Sequence, residues 1–180
     1  MGTRREYEIA FVGLKPGIHE FQYEIDDRFF EEFGKQDFQN CKANVKLELE
    51  KNTGFMMLKF EVGGTAGVLC DRCGNDLPLE LWDEFEMLVK MTDEPEKMNE
   101  EEESPDVHYI SRTESHLLVK NWIYEFIILS IPMQKMCRES EMGGPHCNKE
   151  VLARLAQLNP QPNDSNNTSI WKGLDKFKNE

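Results

Sequence analysis

The sequence predicts an α+β fold, in which a mainly antiparallel, twisted sheet packs on one long core helix and short helices follow toward the C-terminus. Three observations carry that expectation. Ala43, Val45, Leu47 and Leu49 alternate with Asn44, Lys46, Glu48 and Glu50, the period of a half-buried strand. After the turn signal Lys51-Asn52-Thr53-Gly54, Met56, Leu58, Phe60 and Val62 repeat the alternation, so the two runs read as a hairpin with one buried face. Beyond Ser111, the stripes Leu118, Trp122, Phe126, Leu129 and Val119, Ile123, Ile127 follow helical spacing. The pattern leaves open whether the sheet closes into a barrel.

Taken in order, Tyr7, Ile9 and Phe11 suggest a short first strand, and Leu14-Lys15-Pro16-Gly17 a turn. Asp26-Asp27 precede Arg28-Phe29-Phe30-Glu31-Glu32-Phe33, a short capped helix that Gly34 ends. Gly63-Gly64 predicts a bend, and Thr65 to Leu69 a third strand that delivers Cys70 at its end. Leu77, Leu79 and Leu81 alternate, Phe85, Met87 and Val89 continue, and a register shift with a bulge near Trp82-Asp83 is expected between them. Residues 92–106 are nearly devoid of apolar side chains and read as a mobile acidic loop.

Val107 to Ile110 is a further strand. Ser111 and Glu114 have the spacing of a capping box, which opens the long helix expected to reach about Ser130 before Ile131-Pro132 stops it. His116, in its first turn, reads as structural or exposed. A charged loop with glycines from Met133 to Cys147 precedes a short amphipathic helix over Val151, Leu152, Leu155 and Leu158. The expected organisation is one domain over 1–158, a linker over 159–168, and a helical tail over 169–180 whose Ile170, Trp171, Leu174 and Phe177 share a face.

Charge narrows the partners. The 34 Asp and Glu against 21 Lys and Arg give a net charge of -13. Such a chain repels phosphate at long range, so RNA contact is expected only through a local basic patch, and a basic protein is the easier partner. There is no run of eighteen apolar residues, and the charged start Met1-Gly2-Thr3-Arg4-Arg5-Glu6 lacks the apolar core of an export signal. A soluble, cytoplasmic protein with no membrane partner is expected. The sequence offers no glycine-rich phosphate loop, nucleophile elbow or paired helical histidines, and His19, His108, His116 and His146 are scattered. No enzyme and no small-molecule substrate are expected.

The most specific local motif is Cys70-Asp71-Arg72-Cys73-Gly74. Two thiolates three residues apart can hold one ion from a tight turn, and Gly74 permits the backbone such a turn needs. A redox pair would instead open a helix after a parallel strand, whereas this pair lies on a loop between strand patterns. Cys137 and Cys147 flank a loop containing Gly143-Gly144-Pro145 and can complete a tetrahedral zinc site if that loop folds back. His146 is the alternative ligand in place of Cys137, and buried free thiols are the competing reading. Four protein ligands leave no open position, so the zinc would be structural, clamping the sheet to the segment after the helix. Cys41 has no partner at useful spacing and reads as a plain thiol.

The order of features then carries a resemblance. Val68-Leu69-Cys70-Asp71-Arg72-Cys73-Gly74 follows a strand. An acidic stretch comes next, then a helix ending Glu125-Phe126-Ile127-Ile128-Leu129-Ser130-Ile131-Pro132, then His146-Cys147 and Trp171-Lys172-Gly173-Leu174. From about Val45 to Phe177 the chain resembles the bacterial YceD family, the large ribosomal RNA subunit accumulation proteins. The resemblance implies a non-enzymatic accessory factor in large ribosomal subunit biogenesis, acting with a ribosome-assembly component such as a basic ribosomal protein. Arg72, Trp171, Lys172 and Lys176 are the candidate partner-binding residues. Some relatives lack a full ligand set, so the metal is not implied by the family's common role. The alternative is a zinc-stabilised interaction adaptor unrelated to ribosomes.

Overall fold

The computed structural model describes residues 6–138, 144 and 147–158. In chain order the elements are β1 (Glu8–Ile9), β2 (Gly17–Asp26), β3 (Phe38–Lys51), β4 (Phe55–Leu69), β5 (Asp76–Thr92), α1 (Pro95–Glu101), β6 (Val107–Ser111), β7 (Leu117–Leu118), α2 (Lys120–Leu129) and α3 (Lys149–Leu158). Short 3-10 turns cover Phe11–Gly13 and Asp27–Phe33. Strands β2-β3-β4-β5-β6 form one sheet in that order, and β1 pairs with β7 separately. All pairings are antiparallel except β5 with β6. The sheet is open, with β2 and β6 at its edges, so the barrel that the pattern left open does not form.

The predicted hairpin is β3–β4. Its apolar alternation puts rows of partners on one face: Tyr23 beside Val45 and Val62, Leu47 beside Phe60 and Phe85, Leu49 beside Leu58 and Met87. Helix α2 lies on those rows. The Phe126 ring stacks on Phe85 at 4.4 Å and meets Phe60 edge-on at 4.9 Å, while Ile123 and Ile127 are fully buried. Each such side chain stabilises the fold by about 1.5–3 kcal/mol through burial. At the N-terminal end, Tyr7, Tyr23, Phe29, Phe30 and Phe38 form a continuous aromatic chain beneath the same helix. The Asp26 side chain caps the 3-10 turn by accepting from the Arg28 N–H, and Gly34 (φ +89°) ends it, as the sequence predicts.

Four expectations are corrected. The long helix over 111–130 is only α2. Of the two capping-box bonds the one from the Ser111 N–H to Glu114 Oε1 forms (3.5 Å), but the residues close a turn: the Glu114 N–H donates to the Ser111 carbonyl, and the Thr113 N–H to Ser111 Oγ. Leu117 and Leu118 then pair with Ile9 and Glu8, and the Val119 N–H donates to the Tyr7 carbonyl, so β1 takes the residues that would have made the first helical turns. Second, β4 does not bend at Gly63-Gly64 but runs through them as one strand.

Third, β5 has no register shift at Trp82-Asp83. Asp83 occupies an inward position opposite Val62, in unbroken register from Leu77 to Val89. The bulge lies on β3 instead, between Gln39 and Lys42, where Asn40 has φ +54°. The Asp27 carboxylate accepts from the Asn40 and Cys41 N–H groups there, supplying partners that the interrupted ladder does not.

Fourth, residues 92–106 are not a bare loop. They contain α1, with Pro95 at its first turn, as the crossover that a parallel β5–β6 pair needs. The Asn99 side chain clasps β6 by donating to the Tyr109 carbonyl (2.8 Å) and accepting from the Tyr109 N–H (2.7 Å). His116 is exposed, as one of the two readings had it. The expected linker and tail over 159–180 lie outside the described residues.

Candidate metal centre

The knuckle is built by the turn that joins β4 to β5. The Cys70 N–H donates to the Asn75 carbonyl and the Gly74 N–H to the Cys70 carbonyl, both at 2.8 Å. This closure places Gly74 at φ +73°, a conformation that disfavours any side chain. Cys70 and Cys73 thereby point into the fold, each about 3% exposed.

The segment after α2 is fastened against the knuckle by a reciprocal pair. The Asp71 N–H donates to the Lys135 carbonyl, and the Lys135 N–H donates to Asp71 Oδ2, each at 2.7 Å. The Lys135 ammonium also pairs with Asp37, just before β3. No local pattern could have announced the Asp71–Lys135 pair, because its members are far apart in the chain. Its consequence is that Cys137 is delivered to the knuckle, where Cys147 meets it.

The structure brings together all four predicted cysteines. Cys137 Sγ and Cys147 Sγ are 3.4 Å apart, and the Cys70 thiol interacts with both Cys73 and Cys137. All four are buried. Burial opposes the thiolate at Cys70, but the N–H groups of Cys137, Cys73 and Arg72 outweigh it, and the thiol is brought down to about 7. Cys137 moves the other way, first through its hydrogen bond with Cys147, then through burial and the neighbouring Cys70.

Tetrahedral thiolate zinc, with bonds of about 2.3 Å, sets its sulfurs about 3.8 Å apart. The contacts here run in series from Cys73 to Cys70 to Cys137 to Cys147, and among the described residues no group of three or more Cys, His, Asp or Glu is already disposed around one centre. The donor set nevertheless fits the ion: four soft sulfurs, buried and adjacent, with N–H donors directed at one of them.

Of the other named residues, Arg72 is half-buried and its guanidinium donates to Met136 Sδ at 3.8 Å, so it helps hold the post-helix segment. His146, Trp171, Lys172 and Lys176 lie outside the described residues. Cys41 stands apart from the cluster, buried in β3 beside Asp27.

A family profile described as large ribosomal RNA subunit accumulation protein YceD matches residues 58–178. The chain belongs to the YceD family. The matched span takes in most of β4, all of β5 and β6, α2, and the four clustered cysteines of this YceD chain. No curated protein and no solved structure matches it. Among the described residues, no helix is long and apolar enough to cross a membrane.

Proposed function

We infer that this YceD protein is a non-enzymatic accessory factor in the accumulation of large-subunit ribosomal RNA, with a structural zinc held by Cys70, Cys73, Cys137 and Cys147. The family match over residues 58–178 carries the reading. Zinc bound by four thiolates has no open coordination position, so it would add folding energy and no catalysis. The chain's own groups would prepare that site: the N–H groups of Cys137, Cys73 and Arg72 stabilise a thiolate at Cys70, and Asp71 with Lys135 holds the Cys137 segment against it.

The partner fitting the -13 charge is a basic component of the assembling subunit, met in the cytoplasm. Arg72, Trp171, Lys172 and Lys176 are the proposed contact residues of the knuckle end and tail. The test is depletion of the protein in its source organism, followed by gradient profiling and quantification of precursor and mature ribosomal RNA. Loss of mature large-subunit RNA relative to small-subunit RNA is expected; unchanged levels of both would overturn the reading.

A further inference from the structure

The sheet has a second face. Helix α2 lies on the inner one, and α1 sits at the β6 edge of the sheet. On the outer face, β4 presents glycine at Gly63 and Gly67, while β3 bulges at Gln39–Lys42. The missing side chain at Gly63 and the bulge in the next strand leave a groove along their seam, which the Gln39 carbonyl narrows at Gly67. It consists of three adjoining open depressions of about 660, 470 and 260 Å³, the first two meeting at Lys42 and the last two at Gln39 and Gly67. The floor from Gly63 to Leu69 is long enough for an extended segment of about six residues, at ~3.3 Å per residue.

Two features indicate what fits it. Trp82 pairs directly with Gly63 and is 77% exposed. A cross-strand neighbour would ordinarily cover part of such a ring, and glycine cannot. The lining is also acidic: Glu24 and Asp26 stand at one end and Asp76 further along, with Lys42 the one cation lining it among the described residues. A phosphate backbone laid there would face carboxylates.

We propose that this groove binds an extended, arginine-containing basic segment of a partner protein, whose guanidinium groups pair with Glu24, Asp26 and Asp76 and stack on Trp82. The inference rests on the proposed reading, because it gives that reading's basic partner a surface.

The probe is a decapeptide of alternating glycine and arginine, titrated into the full-length protein at low salt, with its glycine–glutamate counterpart and a uridine decamer alongside. Binding is followed by calorimetry and by backbone amide shifts. The arginine peptide should bind and shift Lys42–Asn44 and Gly63–Leu69. Trp82→Ala and the pair Asp26→Asn with Asp76→Asn should each weaken it about tenfold. Gly63→Tyr should abolish binding while keeping the fold, since a side chain at Gly63 meets open space.

Absence of peptide binding, shifts confined to another surface, preference for the uridine decamer, or burial of Trp82 by self-association would each overturn the proposal. Ribosomal RNA loss on depletion without groove binding would remove this inference alone. Groove binding with normal ribosomal RNA would remove the accumulation reading alone.

Discussion

Two neighbouring glycines in the middle of β4 should respond oppositely to the same substitution. At Gly64 the backbone has φ +149°, and an added Cβ would lie 2.2 Å from the Lys42 carbonyl oxygen and 2.6 Å from Ala43 Cα. Both obstacles are backbone, held at the β3 bulge by the hydrogen bonds to Asp27. Relief therefore requires one strand to move by most of an ångström. The conformation itself costs a side-chain-bearing residue about 1–3 kcal/mol, and displacement of the paired strand adds to it. Gly64→Ala should thus destabilise the protein by about 3–5 kcal/mol, a large fraction of what a domain of this size holds.

At Gly63 an added Cβ has nothing within 4 Å, and its φ is one that other residues adopt. Gly63→Ala should be neutral or stabilising by about 0.4–1 kcal/mol, because it removes freedom from the unfolded chain. Urea denaturation followed by tryptophan fluorescence measures both, and the comparison is valid where the slope with denaturant is unchanged. A Gly64→Ala protein within about 1 kcal/mol of the parent would refute the close approach at the bulge. A Gly63→Ala protein as unstable as Gly64→Ala would refute the open groove.

Three further outcomes follow from the cysteines, the buried rings and the acidic crossover. Purified protein should carry one zinc per chain; Cys70→Ser and Cys137→Ser should each lose it and lower the melting temperature, while Cys41→Ser should retain it, all read by elemental analysis and thermal unfolding. Burial, then Asp27 and Asp26, raises the Cys41 thiol to about 11, and burial foremost raises the Tyr7 and Tyr23 hydroxyls to about 12. All three are neutral in the folded state below those values, so the unfolded chain releases their protons first. Stability should be fully present below pH 9 and decline as pH climbs toward 12; a flat profile across that window in denaturant titrations would contradict it. Asn99→Ala removes both hydrogen bonds to Tyr109, at a cost of about 1–3 kcal/mol felt locally; hydrogen exchange should quicken in α1 and β6 while β3 and β4 stay protected.

The hairpin, the capped aromatic turn and the helix over 149–158 were legible because each is written in short-range pattern. One buried face forces a period of two on β3 and β4, and a capping carboxylate beside three phenylalanines gives the 3-10 turn its start and its inner face. The cysteine cluster was legible in part for the same reason: a two-residue gap and a following glycine constrain the knuckle locally. The edge strand β2 was missed although Phe21, Tyr23 and Ile25 alternate with Gln22 and Glu24, a signal of the same kind.

The remaining differences share a physical origin in pairings between distant segments. Leu118 satisfies a helical stripe as well as a strand, and only the presence of β1 decides for the strand. Asn99 converts an acidic run into a docked helix by reaching β6 across ten residues. On β5, the polar Asp83 in an inward slot imitates a slipped register. The actual bulge is set on β3 by a carboxylate thirteen residues before it, which no periodicity within β3 reveals. The same reasoning applies to the candidate metal centre. Spacing made Cys70 and Cys73 neighbours, but Cys137 reaches them because Asp71 and Lys135 exchange backbone and carboxylate hydrogen bonds across the gap. If that clamp positions the ligand, Asp71→Ala should weaken metal retention while all four cysteines remain, and full retention in that variant would assign the positioning to the sulfurs themselves.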